Sequence, residues 1–150
     1  MIALACDHGA LGLKKAVADY LLSKGIAYED FGTYEAASCD YADFAVPVAE
    51  AVAAGEYRFG ILLCGTGIGM SIAANKVKGV RAAVVSDEFS AKATRAHNDA
   101  NVLCMGERVV GSGLALSILD AFLKTPFEGG RHKTRIDKIA EVEGLCLKKL

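Results

Sequence analysis

Short apolar runs that alternate with segments of helical spacing constrain this fold more than any other feature of the sequence. Apolar runs typical of strands occupy residues 2–6, 59–64, 80–85 and 102–105, with a weaker one at 26–31. Helical spacing is found at 11–23, 43–54, 71–76, 114–123 and 134–142, and a further helix follows Ser86. Strands that alternate with helices form right-handed βαβ units and a parallel sheet that is covered on both faces. The pattern therefore predicts a three-layer α/β/α, Rossmann-like fold with a parallel sheet of about five strands.

The length and charge of the chain narrow its organisation and its partners. A chain of 150 residues favours one domain, residues 1–150, with a single core. A net charge of -1 and a pI near 6.3 give no surface suited to nucleic acid or anionic membranes. The apolar runs are too short to span a bilayer, and the N-terminal residues do not read as a cleavable signal. We therefore expect a small-molecule partner, with neither nucleic acid nor membrane involved.

The cysteines indicate the compartment of the protein. Their number is odd, their spacing is wide and no CxxC motif occurs: Cys6, Cys39, Cys64, Cys104 and Cys146. This pattern argues against a disulfide framework and against a structural zinc site, and it favours a reducing cytoplasm. Most buried cysteines are inert small hydrophobic residues, so each one needs independent support before a chemical role is assigned.

Polar residues follow three of the predicted strands. The first strand ends at Cys6-Asp7-His8, another at Cys64-Gly65-Thr66, and the run at 80–85 is followed by Ser86-Asp87. Ligands of open α/β sheets bind beyond the carboxyl ends of the strands. These residues are therefore the first candidates for a binding site, although Ser86 is also a good N-cap for the next helix.

The glycine-rich loop Gly65-Thr66-Gly67-Ile68-Gly69 follows the strongest predicted strand. Glycines allow the backbone to approach a ligand closely, and free N–H groups at the start of a helix favour an anion. A tight turn that needs glycine only for packing is the structural alternative. The spacing differs from the GxGxxG dinucleotide pattern, yet an acid follows at Asp87, so a small dinucleotide-binding domain stays open.

Three further positions could supply chemistry. Cys64 precedes a helix, whose dipole favours a thiolate able to act as a general base, unless the thiol is simply buried. His97 suits proton transfer at neutral pH, although a histidine beside Asn98 is often only a surface residue. Arg131 and Arg135 would share one helix face and form a phosphate clamp, or a solvated basic face, and Arg108 could add a cation. The set suits proton abstraction next to the carbonyl of a phosphorylated substrate, and the sequence contains no evident metal-ligand cluster.

Five segments together resemble the type B ribose-5-phosphate isomerases, within the family that also holds allose-6-phosphate and galactose-6-phosphate isomerases. The resemblance covers nearly the whole chain and rests on CDHG, DFGT, CGTGIGMSIAANK, HNDANVL and GGRHKTR. It implies a cytoplasmic, Rossmann-like enzyme of the pentose phosphate pathway that uses neither metal nor cofactor. It also implies a homodimer or homotetramer, with active sites at the subunit interface.

The resemblance assigns roles to individual residues. It implies an aldose–ketose isomerisation of ribose 5-phosphate through a cis-enediolate, with Cys64 as the base, His97 opening the sugar ring and Thr66 assisting. A branch with a Glu base has that Glu where this chain has Met70, so the thiol branch fits. Isomerisation of allose 6-phosphate or another hexose phosphate by the same mechanism is the alternative. The substrate-binding residues would be the loop backbone at Gly65, Gly67, Ile68 and Gly69, together with Asp7, His8, Asn98, Arg108, Arg131 and Arg135, and Tyr41 is expected near the sugar.

Overall fold

Five parallel strands form the centre of the protein, in the order β2-β1-β3-β5-β4. The computed structural model describes residues 1–148, with side chains up to residue 144, so Cys146 lies outside the described side chains. The α/β fold class predicted from the sequence is confirmed. The strands are β1 (Ile2–Cys6), β2 (Tyr28–Asp30), β3 (Phe59–Cys64), β4 (Ala82–Val84) and β5 (Val102–Gly106).

Helices cover both faces of this sheet because the central strands present apolar side chains in both directions. Ile61 and Leu63 of β3 pack with the helices of one face, whereas Leu62 and Cys64 belong to the core on the other. Within residues 1–148 no helix is both long and apolar enough to cross a membrane. The helices are α1 (Leu11–Ser23), α2 (Tyr41–Ala53), α3 (Ile68–Ala74), α4 (Glu88–Asn98), α5 (Ser112–Lys124) and α6 (Arg131–Lys148).

Two predictions near the fourth strand are wrong. The apolar run 80–85 was expected to be a buried strand, but β4 is a short edge strand and its Val84 is 43% exposed. An edge strand has a neighbour on one side only, so an apolar run does not guarantee burial. The N-cap of α4 is Asp87 rather than Ser86, because the Asp87 carboxylate accepts a hydrogen bond from the Ser90 N–H at 2.7 Å.

The helix boundaries that matter for the site also differ from the sequence expectation. α3 begins at Ile68, immediately after Gly67, so the glycine loop leads directly into the helix. α6 begins at Arg131, and this places Arg131 and Arg135 one turn apart on the same helix. α2 begins at Tyr41 and continues through Pro47, since the buried Val48, Ala49 and Val52 hold it against the sheet.

Candidate active site

Cys64 is the last residue of β3, and the glycine loop curls around its sulfur. The Gly67 N–H donates a hydrogen bond to Cys64 Sγ at 3.0 Å. This geometry needs glycine at position 67, because the residue has a φ of +80° and a Cβ there would lie 3.0 Å from the Met105 backbone. Hydrogen bonds to a charged acceptor are stronger than those to a neutral one, so this donor is well placed for a thiolate.

The other described cysteines have different surroundings. Burial raises the pKa of Cys6 to about 12. Burial also raises the pKa of Cys104, and the neighbouring Cys64 adds to the effect. Both thiols therefore stay protonated at neutral pH, as expected of inert core residues. Cys39 is half-buried beside His8, with its Sγ 3.6 Å from His8 Nδ1.

The last residue of β5 and the two residues after it clamp the loop, and sequence reasoning missed Gly106 and Glu107. The N–H groups of Glu107 and Arg108 donate to the carbonyls of Cys64 and Gly65, at 3.0 and 3.1 Å. At Gly106 an added Cβ would lie 2.5 Å from the Thr66 Cα, so no side chain fits there. The rule that selected the carboxyl ends of β1 and β3 applies equally to β5, and it would have identified Gly106 and Glu107.

Other predicted residues gather around the same loop. Asp7 is buried and its Oδ1 accepts the Gly9 N–H at 2.8 Å, while His8 Nδ1 accepts the Cys39 N–H at 3.2 Å. The Tyr41 ring packs so closely on Gly69 that a Cβ there would lie 2.9 Å from it. We call this group at the carboxyl edge of the sheet the thiol cluster: Asp7, His8, Tyr41, Cys64, Gly65, Thr66, Gly67, Ile68, Gly69 and Arg108.

The remaining predicted residues form a second group, the imidazole cluster: His97, Asn98, Arg131 and Arg135. His97 and Asn98 end α4, and the start of α6 is tied to them because the Glu128 N–H donates to the Ala96 carbonyl at 3.0 Å. The exposed His97 ring stacks on His132, with ring centroids 4.3 Å apart and planes 13° apart. His132 belongs to the GGRHKTR segment but was not among the predicted site residues.

The two clusters lie at opposite ends of the strands. The thiol cluster is at the carboxyl ends, which form the carboxyl edge of the sheet, and the imidazole cluster is at the amino ends, which form its amino edge. α4 ends just before β5 starts, and the Gly60 N–H donates to the Asn101 carbonyl at the amino edge. Cys64 instead pairs with Gly106, at the carboxyl end of β5. The four residue-to-residue steps from Gly60 to Cys64 span roughly 13 Å, at about 3.3 Å per step. A single chain therefore does not bring His97 to Cys64.

The imidazole cluster carries strong positive charge around one buried ring. Burial lowers the pKa of His132, and the positive charges of His97, Arg131 and Arg135 lower it further, whereas Glu128 opposes them. His132 is consequently neutral at neutral pH. A cavity of about 660 Å³ opens nearby and includes Asn98, but Cys64 is not among its lining residues.

Three side chains of metal-binding types also meet here. The nitrogen or oxygen atoms of His97, Glu128 and His132 lie within 4.8 Å of one another. The two rings are nearly parallel, however, so their in-plane lone pairs point side by side rather than towards a common ion. Positive charge from Arg131 and Arg135 further disfavours a cation. The geometry fits a stacked pair better than a chelating site.

Known proteins resemble this chain over almost its full length. The sequence model of the Ribose/Galactose Isomerase family matches residues 2–139. Ribose-5-phosphate isomerase B of Escherichia coli is 49% identical, over 95% of each chain. The structure of Clostridium thermocellum ribose-5-phosphate isomerase B is 54% identical with a TM-score of 0.94, covering 95% of this chain and 97% of that one. The Mycoplasma genitalium enzyme, solved with bound ribulose-5-phosphate, is 47% identical with a TM-score of 0.92, over 95% of each chain.

Proposed function

The chain belongs to the ribose/galactose isomerase family, whose sugar phosphate isomerase chemistry it shares, and we propose that it interconverts ribose 5-phosphate and ribulose 5-phosphate. The observation that carries the proposal is the Cys64 sulfur, held at the end of β3 with the Gly67 N–H on it and the loop backbone around it. A base and a set of backbone donors that are neighbours in the chain can act on neighbouring carbons of a substrate.

His97 performs the first step, which is ring opening. It accepts the proton of the O1 hydroxyl and delivers a proton to the ring oxygen O4. The C1–O4 bond breaks as the C1 aldehyde forms, so no atom is gained or lost. An exposed imidazole suits this exchange because it donates and accepts protons near neutral pH.

Cys64 performs the isomerisation. Its thiolate removes the proton from C2, and the electron pair moves through a new C1–C2 double bond onto O1. Backbone N–H groups of the 65–69 loop stabilise this cis-enediolate, while the Gly67 N–H stays on the sulfur and the Ile68 N–H donates to Thr66 Oγ1 at 3.2 Å. Preorganised donors of this kind are each worth about 3 kcal/mol. The Thr66 hydroxyl transfers the proton from O2 to O1, and the Cys64 thiol returns its proton to C1, which yields the ketose.

The phosphate is held by guanidinium groups. Arg131 and Arg135 lie one helical turn apart on α6, with both side chains exposed. Guanidinium forks bind phosphate through paired charge-assisted hydrogen bonds. Arg108 and His8 of the thiol cluster are further candidates for this end of the sugar, and Asp7 and Asn98 bind its hydroxyl groups.

A second copy of the chain completes the site. Because Cys64 and His97 lie at opposite edges of one sheet, a homodimer that places one protomer's imidazole cluster against its partner's thiol cluster supplies both groups. The surface beside the thiol cluster suits such a contact, since Ile68 and Ile72 of α3 are 53% and 56% exposed. Exposed apolar groups beside a polar site are typical of an interface.

The test is a ketose-formation assay on ribose 5-phosphate and allose 6-phosphate in the presence of EDTA. We expect Cys64→Ala to lower ribose 5-phosphate turnover by about 10²–10⁴-fold while ribulose 5-phosphate still binds. Cys104→Ala, a buried thiol on the neighbouring strand, is the matched control and keeps activity.

The outcomes separate the alternatives. Turnover of the hexose phosphate alone would keep the mechanism and change the substrate, and turnover of neither sugar would refute the proposal. Inhibition by EDTA would refute the metal-free mechanism. The dinucleotide alternative depended on Asp87 as the acid that binds the cofactor, but the Asp87 carboxylate caps α4.

A further inference from the structure

His132 is a buried histidine that the proposed chemistry does not use. It is 5% exposed, and its Nε2 has no hydrogen-bond partner among the described residues. The nearest carboxylate oxygen, Glu128 Oε2, lies 3.5 Å away from that nitrogen without forming a hydrogen bond. Its ring stacks on the ring of His97. A buried polar ring with an unsatisfied nitrogen costs stability, so its presence calls for an explanation.

The backbone fixes the place of His132 firmly. Gly129 and Gly130 both have positive φ, at +66° and +54°, and turn the chain from Glu128 into α6. The Glu128 N–H is bonded to α4 through the Ala96 carbonyl, and the His132 N–H donates to the Gly129 carbonyl at 3.0 Å. The ring is therefore presented from a fixed turn to the end of α4, next to His97.

The neutral state of His132 suits its stacking contact with His97. The groups that face it are His97 on α4, Arg131 and Arg135 on α6, and the Glu128 carboxylate. Three of these can be positive, so a protonated His132 would be repelled by its neighbours. A neutral ring can lie against His97 in either protonation state without that repulsion.

We propose that His132 is a positioning residue for His97, whose ring it holds by stacking in the single orientation needed to exchange protons with O1 and O4 of the sugar. The proposal rests on the proposed function, in which His97 opens the ring. His97 is exposed at the last turn of a helix, where its own element does little to restrict its rotation. Because O1 and O4 are both bonded to C1, the ring nitrogen that moves the proton between them must be held in place, and misplacement by about 1 Å can cost 10²-fold in rate.

The kinetic test compares His132→Ala with His132→Phe, which keeps an aromatic ring but removes both nitrogens. His132→Ala should lower ribose 5-phosphate turnover on the order of 10²-fold, whereas His132→Phe should stay close to wild type. Deuterium uptake from D₂O at C1 of ribulose 5-phosphate is the internal control. With O5 phosphorylated this ketose cannot form a furanose, so its exchange needs Cys64 but no ring opening, and it should survive in both variants.

Each alternative gives a different pattern. Equal loss of turnover and exchange in His132→Ala would mean a general structural role and would overturn the proposal. Equal loss of turnover in Phe and Ala variants would assign the role to the nitrogens rather than to stacking, and would also overturn it.

Proton NMR tests the stack without relying on activity. The chain has only three histidines, so the His97 C2–H resonance can be assigned from variants. It should show a ring-current shift that His132→Phe keeps and His132→Ala loses. An unchanged His97 resonance in His132→Ala would refute the positioning role, whereas failure of the wild type to isomerise ribose 5-phosphate would refute the proposed function instead.

Discussion

Mixing two inactive variants should restore activity if the site is shared between protomers. The variants are Cys64→Ala, which removes the proposed base of the thiol cluster, and His97→Asn, which removes the proposed proton carrier of the imidazole cluster. Each homodimer should fall about 10²–10⁴-fold below wild type, because a positioned acid or base contributes that much. Activity should return when the two variant chains are refolded or expressed together, because mixed dimers can then form.

The expected recovery follows from the position of the two clusters. Cys64 and His97 lie at opposite ends of the strands, and the part of β3 from Gly60 to Cys64 alone spans roughly 13 Å, so in the proposed dimer each site takes one residue from each protomer. In a mixed dimer one site carries both substitutions and the other carries neither. Random pairing makes half of the dimers mixed, so about a quarter of wild-type specific activity should return in a two-fold symmetric dimer.

The assay is ketose formation from ribose 5-phosphate, measured on equal mixtures and on each variant alone. The matched control pairs Cys64→Ala with Gly106→Ala, which damages the same cluster from a different residue. Every mixed dimer then has a lesion in both sites, so no recovery is expected. Recovery in the control pair, or none in the test pair, would refute the shared site.

Three further predictions follow from individual contacts. Gly106→Ala should abolish turnover without unfolding the protein, because its Cβ would lie 2.5 Å from the Thr66 Cα and displace the loop; circular dichroism with the kinetic assay checks this. Arg135→Ala should raise KM for sugar phosphates with little change in kcat, and an unchanged KM would remove Arg135 from the phosphate site. The free energy of unfolding should fall as the pH drops below 6.5, the ordinary pKa of histidine. Folding lowers the pKa of His132, so the unfolded chain binds this proton more readily; denaturant titrations should show a flatter dependence in His132→Phe.

The strands could be predicted where the sequence is apolar on both faces. The bounds predicted for β1, β3 and α1 are those of the structure, because a buried central strand or an amphipathic helix leaves a clear pattern. The run at 80–85 is also apolar apart from Arg81, but it lies at the sheet edge, and strand order cannot be derived from composition. Capping by Asp87 rather than Ser86 depends on a one-residue difference in backbone conformation, which propensity does not resolve.

The separation of the two clusters could have been predicted from the sequence. Cys64 ends β3 and Asp7 follows β1, whereas His97 and Asn98 end α4 and precede β5. In a parallel sheet, residues before a strand lie at the amino edge and residues after it lie at the carboxyl edge. The stack of His132 on His97 could not be predicted in this way, because it depends on how the turn at Gly129 and Gly130 docks α6 against α4.

In the proposed mechanism, the order of the chemical steps explains why the thiol cluster and the imidazole cluster can lie apart. Abstraction at C2, charge stabilisation at O1 and protonation at C1 involve adjacent atoms in immediate succession, so Cys64 and the loop backbone must be held together, and one strand–loop–helix unit holds them. In the proposed mechanism, ring opening is complete before the C2 proton leaves, and it acts at O1 and O4. The group that performs it can therefore approach from another element, or from another protomer. Its orientation then needs a support of its own, and the stack with His132 provides one within the same chain.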